Sequence, residues 1–226
     1  GAPGGNYRQQ TGMHQMLRRY GEQRVSLLGV QECDGGWAEL KRLAGPSVDY
    51  LVQFAGTKQL CGSYDPAVFE ALADGVVYVW SFRHLQWVRL RERSSGSTLL
   101  FVNVHWHHTG GPSVKVTEAS NTKRAIMEHA EPGDIVIVTG DFNVFDAMLK
   151  AEMNNNFFSL GLRPLGRGTV FGGVDYIWSS HQPQDSSFCE KMSDEPRGSD
   201  HDPVFCRLRA AGSTYDDSGS MPWRPR

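Results

Sequence analysis

Two stretches of this chain are apolar at nearly every position: Val25–Val30 (VSLLGV) and Ile135–Thr139 (IVIVT). A half-buried strand alternates apolar and polar side chains, whereas a run without alternation suits a strand covered on both faces. Both runs therefore predict central strands, and stretches of helical spacing alternate with them. Met13, Met16, Leu17 and Tyr20 fall at i, i+3, i+4 and i+7, which predicts an amphipathic helix. Trp37–Leu43, Phe145–Met153 and the stretch around Glu118–His129 read as further helices, the last with Ala119, Thr122, Ile126 and Ala130 on one side. Tyr50–Phe54, Val76–Trp80, Leu85–Leu90, Thr98–Val104, Val174–Trp178 and Pro203–Leu208 read as strands. This order predicts a layered α/β domain, and no internal linker is long enough to split it. Its expected bounds are residues 13–210, after an irregular segment 1–12 and before a tail 211–226 rich in Gly, Ser, Asp and Pro.

Composition narrows the function. No apolar run approaches the roughly 18 residues that a membrane helix needs. The opening Gly1–Asn6 (GAPGGN) lacks the basic and apolar segments of a signal peptide. With 25 acidic and 23 basic side chains, the net charge is −2, so the basic excess of many nucleic-acid binders is missing. Charge concentrated locally would still serve such a partner. Cys33, Cys61, Cys189 and Cys206 form no C-x-x-C pair, which argues against a thiolate zinc site. Reduced buried thiols are the simpler reading, and one or two disulfides the alternative.

Chemistry-bearing residues collect where the strands end. VSLLGV leads into Gln31-Glu32, LLFVNV into His105, and IVIVTG into Asp141-Phe142-Asn143. GGVDYIW carries Asp175, and Asp200-His201 precedes the last strand. Open α/β sheets bind ligands outside such strand ends. Glu32 and Asp200 offer hard oxygen ligands suited to Mg²⁺ or Mn²⁺. Asp141 and Asn143, two apart, share a direction if the strand continues, and can hold or deprotonate a water. His105 and His201 can donate to phosphate oxygens or shuttle protons, and Asp175 can orient one imidazole. Metal-assisted hydrolysis of a phosphate ester needs this set. His105 and His107 would share a strand face, which allows a zinc or extra phosphate site. Trp106 is expected in the core or as a base-stacking ring. Arg163, Arg167 and Arg197 are expected in loops near the motif strands, either as phosphate clamps or as solvated charges.

These motifs resemble the endonuclease/exonuclease/phosphatase superfamily. Gln31-Glu32 is similar to its Q-E, Asn103-Val104-His105 to its N-x-H, and Gly140-Asp141-Phe142-Asn143 to its G-D-F-N. Asp175-Tyr176-Ile177 resembles D-Y-I, and Ser199-Asp200-His201-x-Pro203-Val204 resembles S-D-H-x-P-V. The similarity runs from about Arg18 to Arg209. It implies a four-layered α/β/β/α sandwich of two mixed sheets flanked by helices. It also implies a metal held by Glu32 and Asp200, catalysis by His105, Asp141, Asn143, Asp175 and His201, and Asp74 as an acidic partner for His105. The implied activity is a Mg²⁺- or Mn²⁺-dependent phosphodiesterase, a monomer with nucleic acid as its first-choice substrate. Lipid or small-molecule phosphoester hydrolysis and a non-catalytic binding role are the other readings. One departure stands out: the family's opening strand, which ends in a metal-site Asn, has only Asn6 after GAPGG as a counterpart.

Overall fold

A computed structural model describes residues 25–33, 35–57, 59–167, 173–181, 189–191, 201 and 204–206. The expected Met13 helix, Asn6, Arg197, Asp200 and the tail lie outside the described residues. Strands and helices follow in the order β1 (Leu27–Gln31), α1 (Gly36–Ala44), β2 (Val52–Gln53), β3 (Leu60–Tyr64), β4 (Phe69–Trp80), β5 (Arg83–Glu92), β6 (Thr98–His105), α2 (Pro112–His129), β7 (Ile135–Asp141), α3 (Ala147–Phe158), β8 (Arg163–Arg167), β9 (Asp175–Ser179), β10 (Cys189–Lys191) and β11 (Val204–Cys206).

The strands form a three-stranded sheet, β1-β3-β2, and a six-stranded one, β4-β5-β6-β7-β9-β8. Within the larger sheet, β6 and β7 run parallel and the other pairs antiparallel, so it is mixed. Three apolar clusters show the layering. Leu40 and Ala44 of α1 pack with Val30 and Cys61 on the outside of the small sheet. Phe54, Val88, Leu90, Phe101 and Ile137 fill the space between the sheets. Leu100, Val102, Val104 and Val138 face Ala119 and Ile126 of α2 and Met153 and Phe157 of α3. The order is therefore helix, sheet, sheet, helices, the four-layered sandwich expected. Phe101 and Val102, neighbours on β6, serve opposite cores, which is why that strand is apolar throughout.

Strand β1 differs from its expected central place. Among the described residues it pairs only with β3. It keeps apolar residues on both faces because Leu27 packs between the sheets and Leu28 packs under α1. At its middle the two sheets nearly touch. A Cβ on Gly29 would stand 2.3 Å from Thr139 Oγ1 and 2.8 Å from Asn103 Oδ1, so only glycine fits. Beside it Asn103 ties the sheets together. Its amide donates to Val30 O (3.1 Å) and accepts from Gln31 Nε2 (2.6 Å). The Asn of N-x-H is thus a buried strut, and the His does the facing of the site.

The cysteines are paired, not reduced. Cys33–Cys61 joins the end of β1 to β3, and Cys189–Cys206 crosses the β10/β11 pair.

Candidate active site

Strand register assembles the site. His105 is the Cα partner of Asp141 across β6/β7, and Asp141 is the partner of Asp175 across β7/β9. Three candidate side chains therefore stand level on three adjacent strands. Glu32 arrives from the other sheet at the end of β1, and His201 approaches Asp175 from the segment before β11. His105 Nε2 lies 3.7 Å from Asp141 Oδ2 and 3.9 Å from Glu32 Oε1. His201 Nε2 lies 4.0 Å from the same Asp141 oxygen. Asp141 is buried between two imidazoles, with the exposed Glu32 carboxylate at the mouth.

The backbone bends sharply at two of these residues. Glu32 (φ 52°) and Asn143 (φ 50°) adopt left-handed conformations that non-glycine residues rarely take, and such strain gathers at functional sites. Gly140, at φ 153°, has its place set by sterics, since a Cβ there would lie 2.2 Å from Val104 O. Strand geometry therefore ends at Asp141, and Asn143 does not point outward beside it as the spacing suggested. It turns back: its N–H donates to Asp141 Oδ1 (2.8 Å) and its side-chain amide donates to Asp141 Oδ2 (2.9 Å) and Trp106 O (3.0 Å). Asn143 holds the Asp141 carboxylate through both its backbone and side-chain N–H groups. Phe142 between them is fully buried, edge-on to Trp106 at 4.9 Å, and anchors the turn in the core.

Burial pushes the Asp141 carboxyl up to about 7, with Asp175 adding to the rise while His201 and the Asn143 N–H oppose it. A carboxylate so placed can take a proton near neutral pH.

The two histidines are held by opposite partners. His105 Nδ1 is 2.8 Å from Arg83 Nη1. A guanidinium only donates, so Nδ1 accepts and the ring proton sits on Nε2, which faces Asp141 and Glu32. Burial first, then the Arg83 charge, lower the His105 pKa to about 3. His105 is thus a neutral Nε2–H donor and does not shuttle protons near neutral pH. His201 Nδ1 meets Asp175 at 2.9 and 3.1 Å, and a carboxylate only accepts, so Nδ1 carries a proton there.

Arg83 carried no signal in the sequence, because only the β5/β6 pairing brings it to His105. It is buried, also donates to Gln59 Oε1 (3.0 Å), and its own pKa is lowered, by burial above all. The acidic partner expected for His105, Asp74, is elsewhere. It lies opposite Val88, which lies opposite Phe101, four residues short of His105, and accepts from Ala55 N (2.6 Å). Trp106 is a core residue, fully buried, donating to Thr122 Oγ1 (3.2 Å). Arg163 pairs with Ser179, at the end of β9 remote from Asp175, and caps the Phe158 ring. It is no phosphate clamp. Arg167 pairs with Tyr176, nearer the site.

Ligand atoms of Asp141, Asp175 and His201 lie within 4.8 Å of one another, the one such group of potential ligands among the described residues. His107 belongs to no such group there. The expected metal residue Glu32 faces the same space, and Asp200 lies outside the described residues. Carboxylate oxygens crowded around a buried acid suit a hard divalent cation.

The comparisons with known proteins agree with this architecture. The mannosyl-6-phosphatase of Bacteroides thetaiotaomicron VPI-5482 superposes with a TM-score of 0.68 at 18% identity, over 88% of this chain and 91% of that one. Humanized D. rerio TDP2 gives 0.71 at 17% identity, over 91% and 93%. The human Nocturnin catalytic domain, solved with bound sulfate, gives 0.53 at 13%, over 82% and 73%. At these identities the likeness concerns the fold. No curated protein sequence matches the chain. The sequence profile of the endonuclease/exonuclease/phosphatase family, however, matches residues 1–201. With G-D-F-N, D-Y-I and the last histidine converging on one buried aspartate, the chain belongs to the endonuclease/exonuclease/phosphatase family.

Proposed function

We propose that this chain is a divalent-metal-dependent phosphodiesterase that acts as a nuclease. The observation that carries the reading is the buried Asp141 flanked by two histidines of fixed and different tautomer, His105 at 3.7 Å and His201 at 4.0 Å. Attack on a phosphodiester builds negative charge on the non-bridging oxygens and on the leaving oxygen, and a pair of imidazoles can answer both.

Asp141, held by both Asn143 donors, orients the attacking water and takes its proton. The Nε2–H of His105 donates to a non-bridging oxygen, and its proton stays in place because Nδ1 is occupied by Arg83. His201 faces the opposite side and supplies charge or a proton as the leaving oxygen departs. Asp175 keeps that ring oriented and balances its positive form. Glu32, with Asp200, would hold the Mg²⁺ or Mn²⁺, which would supply Lewis-acid neutralisation of the phosphoryl oxygens when bound.

Plasmid DNA, single-stranded DNA and RNA incubated with Mg²⁺, with EDTA controls, test the reading. Cleavage that EDTA stops and that falls at least ~10²-fold in His201→Ala is expected, the low end for a lost acid/base group. Release of inorganic phosphate from sugar phosphates with every nucleic acid left intact would overturn it.

A further inference from the structure

Beside His105 three rings line the surface. Phe82 sits at the tip of the β4/β5 hairpin, 52% exposed, after Ser81 in the left-handed conformation (φ 51°). Its ring centroid lies 5.2 Å from that of His107. His107 and the exposed His108 hold their rings nearly parallel, 7° apart with centroids 5.4 Å apart. Arg83 links this wall to the candidate site, its guanidinium carbon 5.0 Å from the Phe82 ring centre and its Nη1 2.8 Å from His105.

The wall is held from beneath. Glu118, fully buried on α2, accepts from His107 N (2.7 Å). Lys115, also buried, donates from Nζ to His107 O and lies 3.5 Å from Glu118 Oε2. Thr109 N donates to His107 Nδ1 (3.2 Å), which sets the ring. A buried Lys–Glu pair costs desolvation that a plain connection from β6 to α2 has no reason to bear. Here the pair clamps both backbone groups of the one residue that carries the central ring.

We infer that Phe82, His107 and His108 form a stacking subsite for a nucleobase next to the cleaved phosphodiester; this rests on the nuclease reading. The rings offer flat π faces with polar edges, and a guanidinium lies against one of them. Bases stack on such faces without regard to sequence, and a stacked ring pair gains energy beyond the apolar area it buries. A base must leave its helix to lie there, so the subsite favours a single strand. The near-neutral chain, unsuited to tracking the phosphates of a long duplex, fits that choice.

Two oligonucleotides of equal length separate the ideas: one normal single-stranded DNA, one with abasic spacers flanking the scissile phosphate. Expected is a roughly tenfold preference of the unmodified protein for the normal strand in kcat/KM, within the range for one lost base–aromatic stack. Phe82→Ala and Phe82→Leu should bring that ratio toward one, and the leucine tests the π face against simple apolar area. Fluorescence anisotropy of both strands in EDTA reads the same ratio as Kd, without catalysis. Equal cleavage and equal binding of the two strands by the unmodified protein would overturn the subsite, as would an undiminished preference in both variants. Preferential binding without any cleavage would overturn the nuclease reading alone.

Discussion

Replacing Asp141 by asparagine should remove activity and, in the metal-free protein, make the fold more stable. Burial pushes the folded Asp141 carboxyl up to about 7, from an ordinary aspartate value of 3.8. A folded pKa above the unfolded one means that the native state holds a proton which the unfolded chain releases. The contribution is therefore fully present below pH 3.8 and is lost as pH rises through 7. A shift of about three units at about 1.36 kcal/mol each puts the cost of the ionised, buried carboxylate near 4 kcal/mol above pH 8. Only about 1.5 kcal/mol of this is incurred at pH 5, where the native group is still protonated.

The asparagine cannot ionise. Its oxygen keeps the bond from the Asn143 N–H, but its NH₂ meets the Asn143 side-chain NH₂ where Oδ2 accepted at 2.9 Å. That loss is worth about 1–1.5 kcal/mol. The difference leaves Asp141→Asn about equal to the native protein at pH 5 and roughly 2–3 kcal/mol more stable at pH 8. For a chain of this size that is a rise in Tm of about 5–10 °C at the higher pH. Thermal melts in EDTA at pH 5, 6, 7 and 8, followed by circular dichroism or calorimetry, measure it. A Tm difference that stays flat across this range would refute the reasoning, because it would show that Asp141 titrates alike in both states.

Three further perturbations test other parts of the structure. Arg83→Met removes the donor on Nδ1 and a positive charge, so the His105 pKa should rise from about 3 while burial keeps it below 6.5; ¹⁵N chemical shifts of the ring should show the Nε2–H tautomer lost, and turnover should fall about tenfold or more. Cys33→Ser with Cys61→Ser opens a link of sequence separation 28, worth about 3–4 kcal/mol on the chain-entropy estimate, and frees the residue next to Glu32; urea unfolding should show that loss, and calorimetry should show weaker Mg²⁺ binding. Gly29→Ala drives a methyl group into Thr139 and Asn103 and should cost about 1–3 kcal/mol by overpacking, with a lower unfolding midpoint and an unchanged m-value.

Much of the fold was legible because the central strands of the large sheet carry two-sided apolar patterns, whereas only the Val76–Trp80 half of the mostly exposed β4 could be read. β6 and β7 were readable for that reason, as was α2 from its buried Ala119, Thr122 and Ile126. The strands that escaped notice lack such a pattern. β3 (LCGSY) is buried mostly through small residues, and Gly62 leaves room for the Phe54 ring, whose Cζ lies 2.1 Å from where a Cβ would sit. β8 (RPLGR) contains a proline and a glycine, and its pairing slips between Pro164 and Gly166. α3 begins at Ala147, two residues after the expected Phe145, because Asp146 caps it by accepting from Met148 N and Leu149 N. Around the site, residues at strand ends were visible as a set. Arg83, Lys115 and Glu118 were not, because each matters only through a partner that pairing or helix packing brings close.

The two histidines show why partner identity, more than residue identity, divides the labour. Both rings approach the same Asp141 oxygen through Nε2, at 3.7 and 4.0 Å. What differs is the group behind each Nδ1. Arg83 donates to His105, so that ring has nowhere to place a second proton without facing a cation. Its Nε2–H is a constant, a dipole aimed into the site at every working pH. Asp175 accepts from His201, so a second proton on that ring would sit beside a carboxylate that balances it. On the proposed mechanism, proton transfer falls to Asp141 and His201, with His105 as a fixed donor between Asp141 and Glu32. Exchanging the backing groups should exchange the roles. If the pH dependence of turnover followed His105 instead, the tautomers set by Arg83 and Asp175 would not be those that act.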